Sequence, residues 1–331
     1  MALPVSDAHV DVLMRMLEEK LPFYPEDGTE TPVDSSSNVL EAGRMQADFS
    51  FLRAGNVVTQ VFALFVSPHL SEDSQLVSVL REIDCFYQGV VKHGRVRAAR
   101  TRKDVESAHA AGEIAGILSI EGAACLLGDP AILRMMYRLG VRGVGLTWNP
   151  ANRLADGCQE PRDGGLTEAG RRIVAEIGKF PMWIDLAHLG DQSVRDVLSL
   201  HAGPIMASHA NARSVFGHPR NLPDEVISEI ISRRGWMGLV FQSFFLSGDV
   251  PSSFEDLARH IDHVLALGGE DFLGFGSDFD GGITPPVGLE NASRYSTLSD
   301  WLCVRYGTEL ARKLLFDNFD NFLGRSLRES R

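Results

Sequence analysis

Apolar residues along this chain are grouped into short runs, and each run is followed by a polar or charged cluster and then by a stretch with helical spacing. Most runs are almost continuously apolar, which is typical of strands covered on both faces in a parallel sheet. The pattern therefore favours a parallel sheet of about eight strands. The predicted strands are Val5–Val10, Val57–Val66, Ile114–Ile120, Val141–Trp148, Met182–Leu186, Ile205–Ser208, Trp236–Phe241 and Phe272–Gly276.

Helical spacing recurs between these runs. Leu133 and Met136, for example, fall on one face of a helix, and Thr167 is a suitable N-cap for a helix that begins near Glu168. Strands that alternate with helices of this length indicate βαβ units. The predicted helices are Pro130–Leu139, Thr167–Ile177, Asp191–Leu200, Pro223–Ser232 and Phe254–Leu267, followed by a helical tail, Leu298–Leu327, outside the sheet.

About eight βαβ units in one chain predict an α/β fold of the (β/α)8 TIM-barrel type with a C-terminal helical extension. A doubly wound open sheet is the alternative. We expect residues 1–331 to form a single domain, because such barrels run to roughly 250 residues or more as one unit. The segments Leu21–Val39 and Asn149–Gly165 interrupt the pattern and are predicted as long loops at the face where barrel active sites lie.

Composition narrows the classes of partner. The net charge of −12 argues against nucleic acid or an anionic membrane, because both favour clustered Lys and Arg. The N-terminal segment has no basic region before a long apolar run, so we expect no signal peptide. The four scattered cysteines suit a reducing compartment, and we expect a cytoplasmic protein.

Side chains that bind metal ions follow several of the apolar runs. His9 and Asp11 are two residues apart at the end of the first strand, so both can face one ion. Glu121 follows the third strand, and His188 and His209 follow the fifth and sixth. Each residue alone is explained as a polar strand end, but strand ends meet at one face of a barrel. Imidazoles and carboxylates are ligands for zinc and similar ions, so the set predicts a metal site.

The segment after the eighth strand is rich in Asp and Gly, which alone indicates a turn. Asp278 lies nearer the strand and is expected to point at the site, whereas Asp280 is expected to brace the turn. His260 and His263 are three residues apart on a predicted helix, but its apolar face explains them as part of an ordinary surface helix.

Five segments, taken together and in this order, resemble the membrane (renal) dipeptidase family of the amidohydrolase superfamily. The resemblance runs from about Val5 to Leu323 and is most specific between His209 and Asp224. The segments are DAHVD at 7–11, SIEGA at 119–123, IDLAHLG at 184–190, ASHANARSVFGHPRNLPDE at 207–225 and GFGSDFDGG at 274–282.

The resemblance implies a (β/α)8 barrel with two divalent metal ions, expected to be Zn²⁺. It implies that His9 and Asp11 bind the first ion, that Glu121 bridges the two, and that His188 and His209 bind the second. The bridging Glu is a marker of this family, because many of its relatives use a modified lysine instead.

The resemblance also implies roles around the metal site. Asp278 matches the catalytic acid/base, which also contacts the substrate, and Arg220 matches the arginine that binds the substrate's C-terminal carboxylate. Trp148 is a third predicted substrate-binding residue and a departure, since the family often has a His there. An indole has an N–H donor but no titratable nitrogen, so this position leaves the substrate preference open.

The expected function is therefore a cytoplasmic binuclear zinc dipeptidase acting on small dipeptides. A D-residue at the C-terminal position of the substrate is one option. A homodimer is one option for the oligomeric state. One alternative is a different amidohydrolase reaction, on N-acyl amino acids, lactones or related carboxylate-bearing amides. A second is a non-catalytic binding protein that keeps the fold. The complete ligand set argues against the second, because a degenerate paralogue would be free to lose ligands.

Overall fold

The computed structural model describes residues 3–24 and 45–327. The predicted loop Leu21–Val39 therefore lies mostly outside the described residues. Within them, nine strands form one sheet in which all ladder pairings are parallel. The strands are β1 (Val5–Val10), β2 (Val57–Phe65), β3 (Val96–Ala98), β4 (Ile114–Glu121), β5 (Val141–Gly145), β6 (Trp183–Asp185), β7 (Ile205–Ala207), β8 (Trp236–Leu239) and β9 (Leu273–Phe275).

The sheet closes on itself through eight of these strands. From β2 the order runs through β1, β9, β8, β7, β6 and β5 to β4, and β4 pairs back to β2 from Thr59–Ala115 to Phe65–Glu121. The short β3 pairs only with the start of β4, which the structure adds to the predicted set. The (β/α)8 barrel is therefore confirmed, and the open-sheet alternative is wrong.

The α-helices of the described residues connect the strands and cover the outside of the barrel. The five predicted helices agree with the structure to within one residue at each end. Thr167 caps its helix as expected, because its Oγ1 accepts a hydrogen bond from the Gly170 N–H at 3.0 Å. The helices are α1 (Val12–Glu18), α2 (Phe49–Ala54), α3 (Glu72–Cys85), α4 (Arg102–Ala111), α5 (Pro130–Leu139), α6 (Glu168–Ile177), α7 (Asp191–Leu200), α8 (Asp224–Ser232), α9 (Ser243–Leu246), α10 (Phe254–Ala266), α11 (Tyr295–Tyr306), α12 (Thr308–Arg312) and α13 (Asn318–Ser326).

The C-terminal tail is helical, as predicted, and its last helix packs against the barrel's amino-terminal end. The Phe319 ring lies 4.6 Å from that of Trp236, and the Phe322 ring lies 5.9 Å from that of Trp183. Trp183 and Trp236 are the first residues of β6 and β8. This apolar cluster fills one end of the barrel and leaves the carboxyl ends of the strands for polar side chains.

The four cysteines form no disulfide bond. Among the described residues, every helix is too short or too polar to cross a lipid bilayer.

Candidate metal centre

The carboxyl ends of four barrel strands bring the five predicted metal ligands into one buried cluster. His9 lies in β1 and Asp11 directly after it, and Glu121 is the last residue of β4. His188 follows β6 and His209 follows β7. All five side chains are buried. The sequence positions therefore meet in space as the closed barrel requires.

The two carboxylate oxygens of Glu121 face two different groups of donors. Oε1 lies 2.8 Å from Nε2 of His188 and 3.6 Å from Nε2 of His209. Oε2 lies 3.2 Å from Nε2 of His9, which is itself 3.6 Å from Oδ2 of Asp11. One carboxylate is thus shared between two sets of candidate ligands.

The donor atoms fit divalent cations. Nε2 of His9 and Oδ1 of Asp11 are buried and have no hydrogen-bond partner among the described residues, which costs free energy unless an ion satisfies them. Nε2 of His188 and Nε2 of His209 lie only 2.9 Å apart. Nitrogen and carboxylate donors in groups of three suit zinc and related ions.

The other ring nitrogen of each of two histidines has a defined partner. Nδ1 of His188 donates to Oδ1 of Asn149 at 2.8 Å, because an amide oxygen only accepts. Nδ1 of His209 lies 2.7 Å from Oγ of Ser208. Such partners fix the ring orientation and leave Nε2 to face the cluster.

Burial keeps two of the imidazoles neutral. It lowers the pKa of His188 to about 4, with the Arg220 guanidinium acting in the same direction. Burial also lowers the pKa of His209 well below its usual value, with His9 and Arg220 adding to the effect. Neutral imidazole is the form that binds metal ions.

Around His9 and Glu121, interactions between opposite charges outweigh burial in setting the pKa values. Burial acts to lower the pKa of His9, but Glu121 and Asp11 outweigh it and raise that pKa well above its usual value. Burial likewise acts to raise the pKa of Glu121, but His9 and His188 hold it well below its usual value. A cation at this position would replace the proton of His9, because metal binding releases protons from its ligands.

A cavity of about 200 Å³ opens beside the cluster and is lined in part by Arg220 and Asp278. Arg220 is buried and donates from Nη2 to the backbone oxygen of His209 at 2.9 Å, while its Nε has no partner among the described residues. The guanidinium therefore keeps a donor for a ligand. The apolar part of the lining consists of Met14, Phe65, Trp148, Phe245 and Ile283.

Asp278 lies at the edge of the cluster. Its Oδ1 is 3.9 Å from Nε2 of His9. Burial, with the neighbouring Asp11 carboxylate, raises the pKa of Asp278 well above its usual value. Its backbone is left-handed, with φ of 65°. A Cβ at Gly281 would collide with the Asp278 carboxylate and lie 2.6 Å from Oδ2 of Asp11, so only glycine allows this close approach.

Asp280 points away from the cluster and braces the turn, as predicted. Its carboxylate accepts hydrogen bonds from the backbone N–H groups of Gln46 and Ala47 at 2.8 and 2.9 Å, and pairs with Arg15. His260 is a structural residue, because its Nδ1 accepts from the Ala212 N–H and its Nε2 contacts the Leu246 carbonyl.

Trp148 stands at the wall of the cavity. Its ring lies 5.6 Å from that of Phe65 and 6.0 Å from that of His188. Neither Phe65 nor Phe245 was predicted to line the site, since an apolar residue near a strand end has the same pattern as a core residue. Asn149 was also missed, although its place directly after Trp148 was a usable signal.

The fold and the clustered donors define a metal-binding (β/α)8 barrel protein with a small cavity at the carboxyl ends of its strands. The family model for membrane dipeptidases, peptidase family M19, matches residues 1–325. The chain belongs to this family, and the resemblance predicted from its motifs is confirmed.

Two curated fungal proteins show the same relationship. Dipeptidase verJ of Clonostachys rogersoniana is 30% identical over 256 residues, which cover 74% of this chain and 66% of the relative. Dipeptidase aclJ of Aspergillus oryzae is 33% identical over 266 residues, which cover 76% and 63%. The match thus spans slightly less than two thirds of these relatives.

A solved structure covers the whole fold. It is a metallo peptidase from Rhodobacter sphaeroides, liganded with a phosphinate mimic of the dipeptide L-Ala-D-Ala. It superposes with a TM-score of 0.86 at 29% identity, over 98% of this chain and 100% of that one.

Proposed function

We propose that this protein is a binuclear zinc dipeptidase that hydrolyses the peptide bond of dipeptides. The observation that carries the proposal is the Glu121 carboxylate, whose two oxygens face separate groups of donors beside a small cavity. Membership of the membrane dipeptidase family and the dipeptidase names of the relatives support it.

In this proposal the five clustered side chains hold two cations. His9 and Asp11 would hold one, His188 and His209 would hold the other, and Glu121 would be shared between them. Bound divalent cations would polarise the peptide carbonyl and lower the pKa of water, which makes hydrolysis accessible near neutral pH. Asn149 and Ser208 contact the Nδ1 atoms of His188 and His209 and so orient the imidazoles of the second site.

The residues at the cavity supply proton transfer and recognition. Asp278 accepts the proton from the attacking water and returns it to the leaving amine. Arg220 binds the C-terminal carboxylate of the substrate through its guanidinium, which favours dipeptides over longer chains. Trp148 covers the substrate with an apolar face and one N–H donor.

Further parts of the proposal concern the substrate and the setting. The Rhodobacter sphaeroides relative holds a mimic of a dipeptide that ends in D-Ala, and this favours testing a D-residue at the C-terminal position. A cytoplasmic location and a homodimer complete the proposal. Hydrolysis of N-acyl amino acids is the second candidate, because Arg220 would recognise a free carboxylate whichever amide is cut.

Metal analysis combined with a substrate screen tests the proposed function. We expect about two zinc ions per chain after zinc loading and dialysis, and hydrolysis of dipeptides within a panel of L,L and L,D pairs. Chelation should abolish hydrolysis, and zinc should restore it. Fewer than about one bound ion per chain would contradict the metal centre. Cleavage of N-acyl amino acids alone would favour the second candidate.

Replacement of Arg220 by Ala should raise KM for dipeptides with a free carboxylate by about 10- to 100-fold, because a hydrogen bond to a charged group is lost. C-terminally amidated dipeptides should be affected much less. The control is Arg305→Ala, which removes an arginine outside the cavity lining whose partners are Glu255 at 2.8 Å and Asp262 at 3.1 Å. Equal effects of Arg220→Ala on free and amidated substrates would contradict the assigned contact.

A further inference from the structure

Two buried carboxylates lie directly beneath the candidate metal centre and take no part in the chemistry described above. Asp7 is fully buried in β1, and Asp185 is 5% exposed at the end of β6. Each lies two or three residues before a predicted histidine ligand. A buried carboxylate is costly unless hydrogen bonds compensate it, so the contacts of these two indicate what they do.

Asp7 connects the ends of β1 and β9. Its Oδ1 accepts from the backbone N–H of His9 at 3.2 Å and from that of Ser277 at 2.9 Å. Its Oδ2 accepts from the Ser277 hydroxyl at 2.7 Å. The β1–β9 ladder itself pairs at Asp7 and Phe275, and backbone hydrogen bonds from Asp278 to His9 and from Asp11 to Phe279 extend the contact beyond the strands. The Asp7 carboxylate adds a side-chain connection at the point where the two segments leave the sheet.

Asp185 makes the equivalent connection on the other side of the cluster. Its Oδ1 accepts from the backbone N–H of Ala187 at 3.0 Å and from that of Ser208 at 2.9 Å. Ser208 directly precedes His209, and Ala187 directly precedes His188. One carboxylate oxygen therefore fixes the backbone just before both ligands of the second proposed site.

The contacted residues precede strained positions in both cases. His188 and Asp278 each have a left-handed backbone with φ of 65°, a conformation that L-residues rarely adopt. Such conformations persist only where the surroundings hold them. Asp185 fixes Ala187 before the first, and Asp7 fixes Ser277 before the second.

We propose that Asp7 and Asp185 are positioning residues, each of which sets the geometry of one half of the candidate metal centre through backbone hydrogen bonds. Asp7 orients His9 and Asp278, and Asp185 orients His188 and His209. This inference rests on the proposed function, because it requires that the cluster binds metal ions. Among the described residues, neither carboxylate belongs to the candidate ligand groups or to the lining of the cavity.

The test is a titration of the metal-free protein with Co²⁺, followed by absorption spectroscopy. Asp7→Ala and Asp185→Ala should each weaken one of the two binding steps by about 10- to 100-fold and change the cobalt spectrum, as loss of an outer partner does in metal sites. Asp7→Asn and Asp185→Asn should keep most of the affinity and the spectrum, since an amide oxygen can accept the same backbone N–H groups.

A matched control is Asp48→Ala, because Asp48 is a buried carboxylate that accepts from the backbone N–H of Phe51 at the start of α2. It should leave cobalt binding unchanged. If an alanine variant does not fold, the corresponding valine variant, which has no acceptor but fills more of the space, takes its place.

The outcomes separate the two proposals. A wild-type protein that binds no cobalt contradicts the metal centre itself. A wild-type protein that binds two ions, with alanine variants of unchanged affinity and spectrum, overturns the positioning role alone. Asparagine variants as weak as the alanine variants would also overturn it, because charge and not backbone geometry would then be the cause.

Discussion

Replacement of Asp278 by Asn should lower kcat for dipeptides by about 10²- to 10⁴-fold, which is the usual contribution of a general acid/base. Asn has the same shape but cannot carry the proton from water to the leaving amine. KM should change little, because Arg220 still binds the substrate carboxylate. Steady-state kinetics on zinc-loaded protein, with metal content measured on the same sample, gives the result.

The neighbouring aspartate provides the control for this experiment. Asp280 lies two residues away and is buried, but its carboxylate contacts the backbone of Gln46 and Ala47. Asp280→Asn should lower the temperature of unfolding and leave kcat close to the wild-type value. Full turnover by Asp278→Asn would show that the acid/base role is wrong, and a loss of bound zinc in that variant would assign Asp278 to the metal centre instead.

The sequence predicts the barrel well because buried parallel strands leave a strong signal. Each of the eight predicted strands has a counterpart in the closed sheet. The predicted ends are less accurate. The apolar run Val141–Trp148 continues for three residues beyond β5, because Leu146 and Thr147 stay buried after the ladder ends. Burial and strand pairing are different properties, and only burial is visible in hydrophobicity.

The strand β3 could not be predicted for a physical reason. It has only three residues, Val96–Ala98, and the middle one is an exposed arginine that pairs with Glu113. A strand of this kind has neither a continuous apolar run nor a full alternation. It forms because the start of β4 has a free edge beside β5, which is a property of the tertiary structure.

Some residues of the candidate site can be predicted from the sequence, and others cannot. Polar residues such as His188 and His209 stand out because they end apolar runs, and the closed barrel brings them together. Apolar walls such as Phe65 are hidden, since their composition is that of the core. Asp7 is hidden for another reason. A single carboxylate within a strand is visible in the sequence, but its contact with the Ser277 N–H depends on the register between β1 and β9.

Replacement of Glu121 by Gln should reduce the zinc content from about two ions to about one or fewer per chain. The carboxylate offers two equivalent oxygens, one 2.8 Å from Nε2 of His188 and the other 3.2 Å from Nε2 of His9. Gln has one acceptor oxygen and one NH₂ donor group, so it can bind only one of the two cations. A metal ion contributes several kcal/mol to transition-state stabilisation, so kcat/KM should fall by about 10³-fold or more.

The control is the same substitution, Glu to Gln, at another buried glutamate, Glu82. It lies in α3, is 3% exposed, and burial, with Asp11 and Glu18 nearby, raises its pKa well above the usual value. The side chain is therefore held towards its neutral form, which Gln imitates in shape and charge. Glu82→Gln should keep two zinc ions and wild-type kinetics. If Glu121→Gln also kept two ions, the shared carboxylate would not be the bridge, and the two cations would have to be held by separate ligand sets.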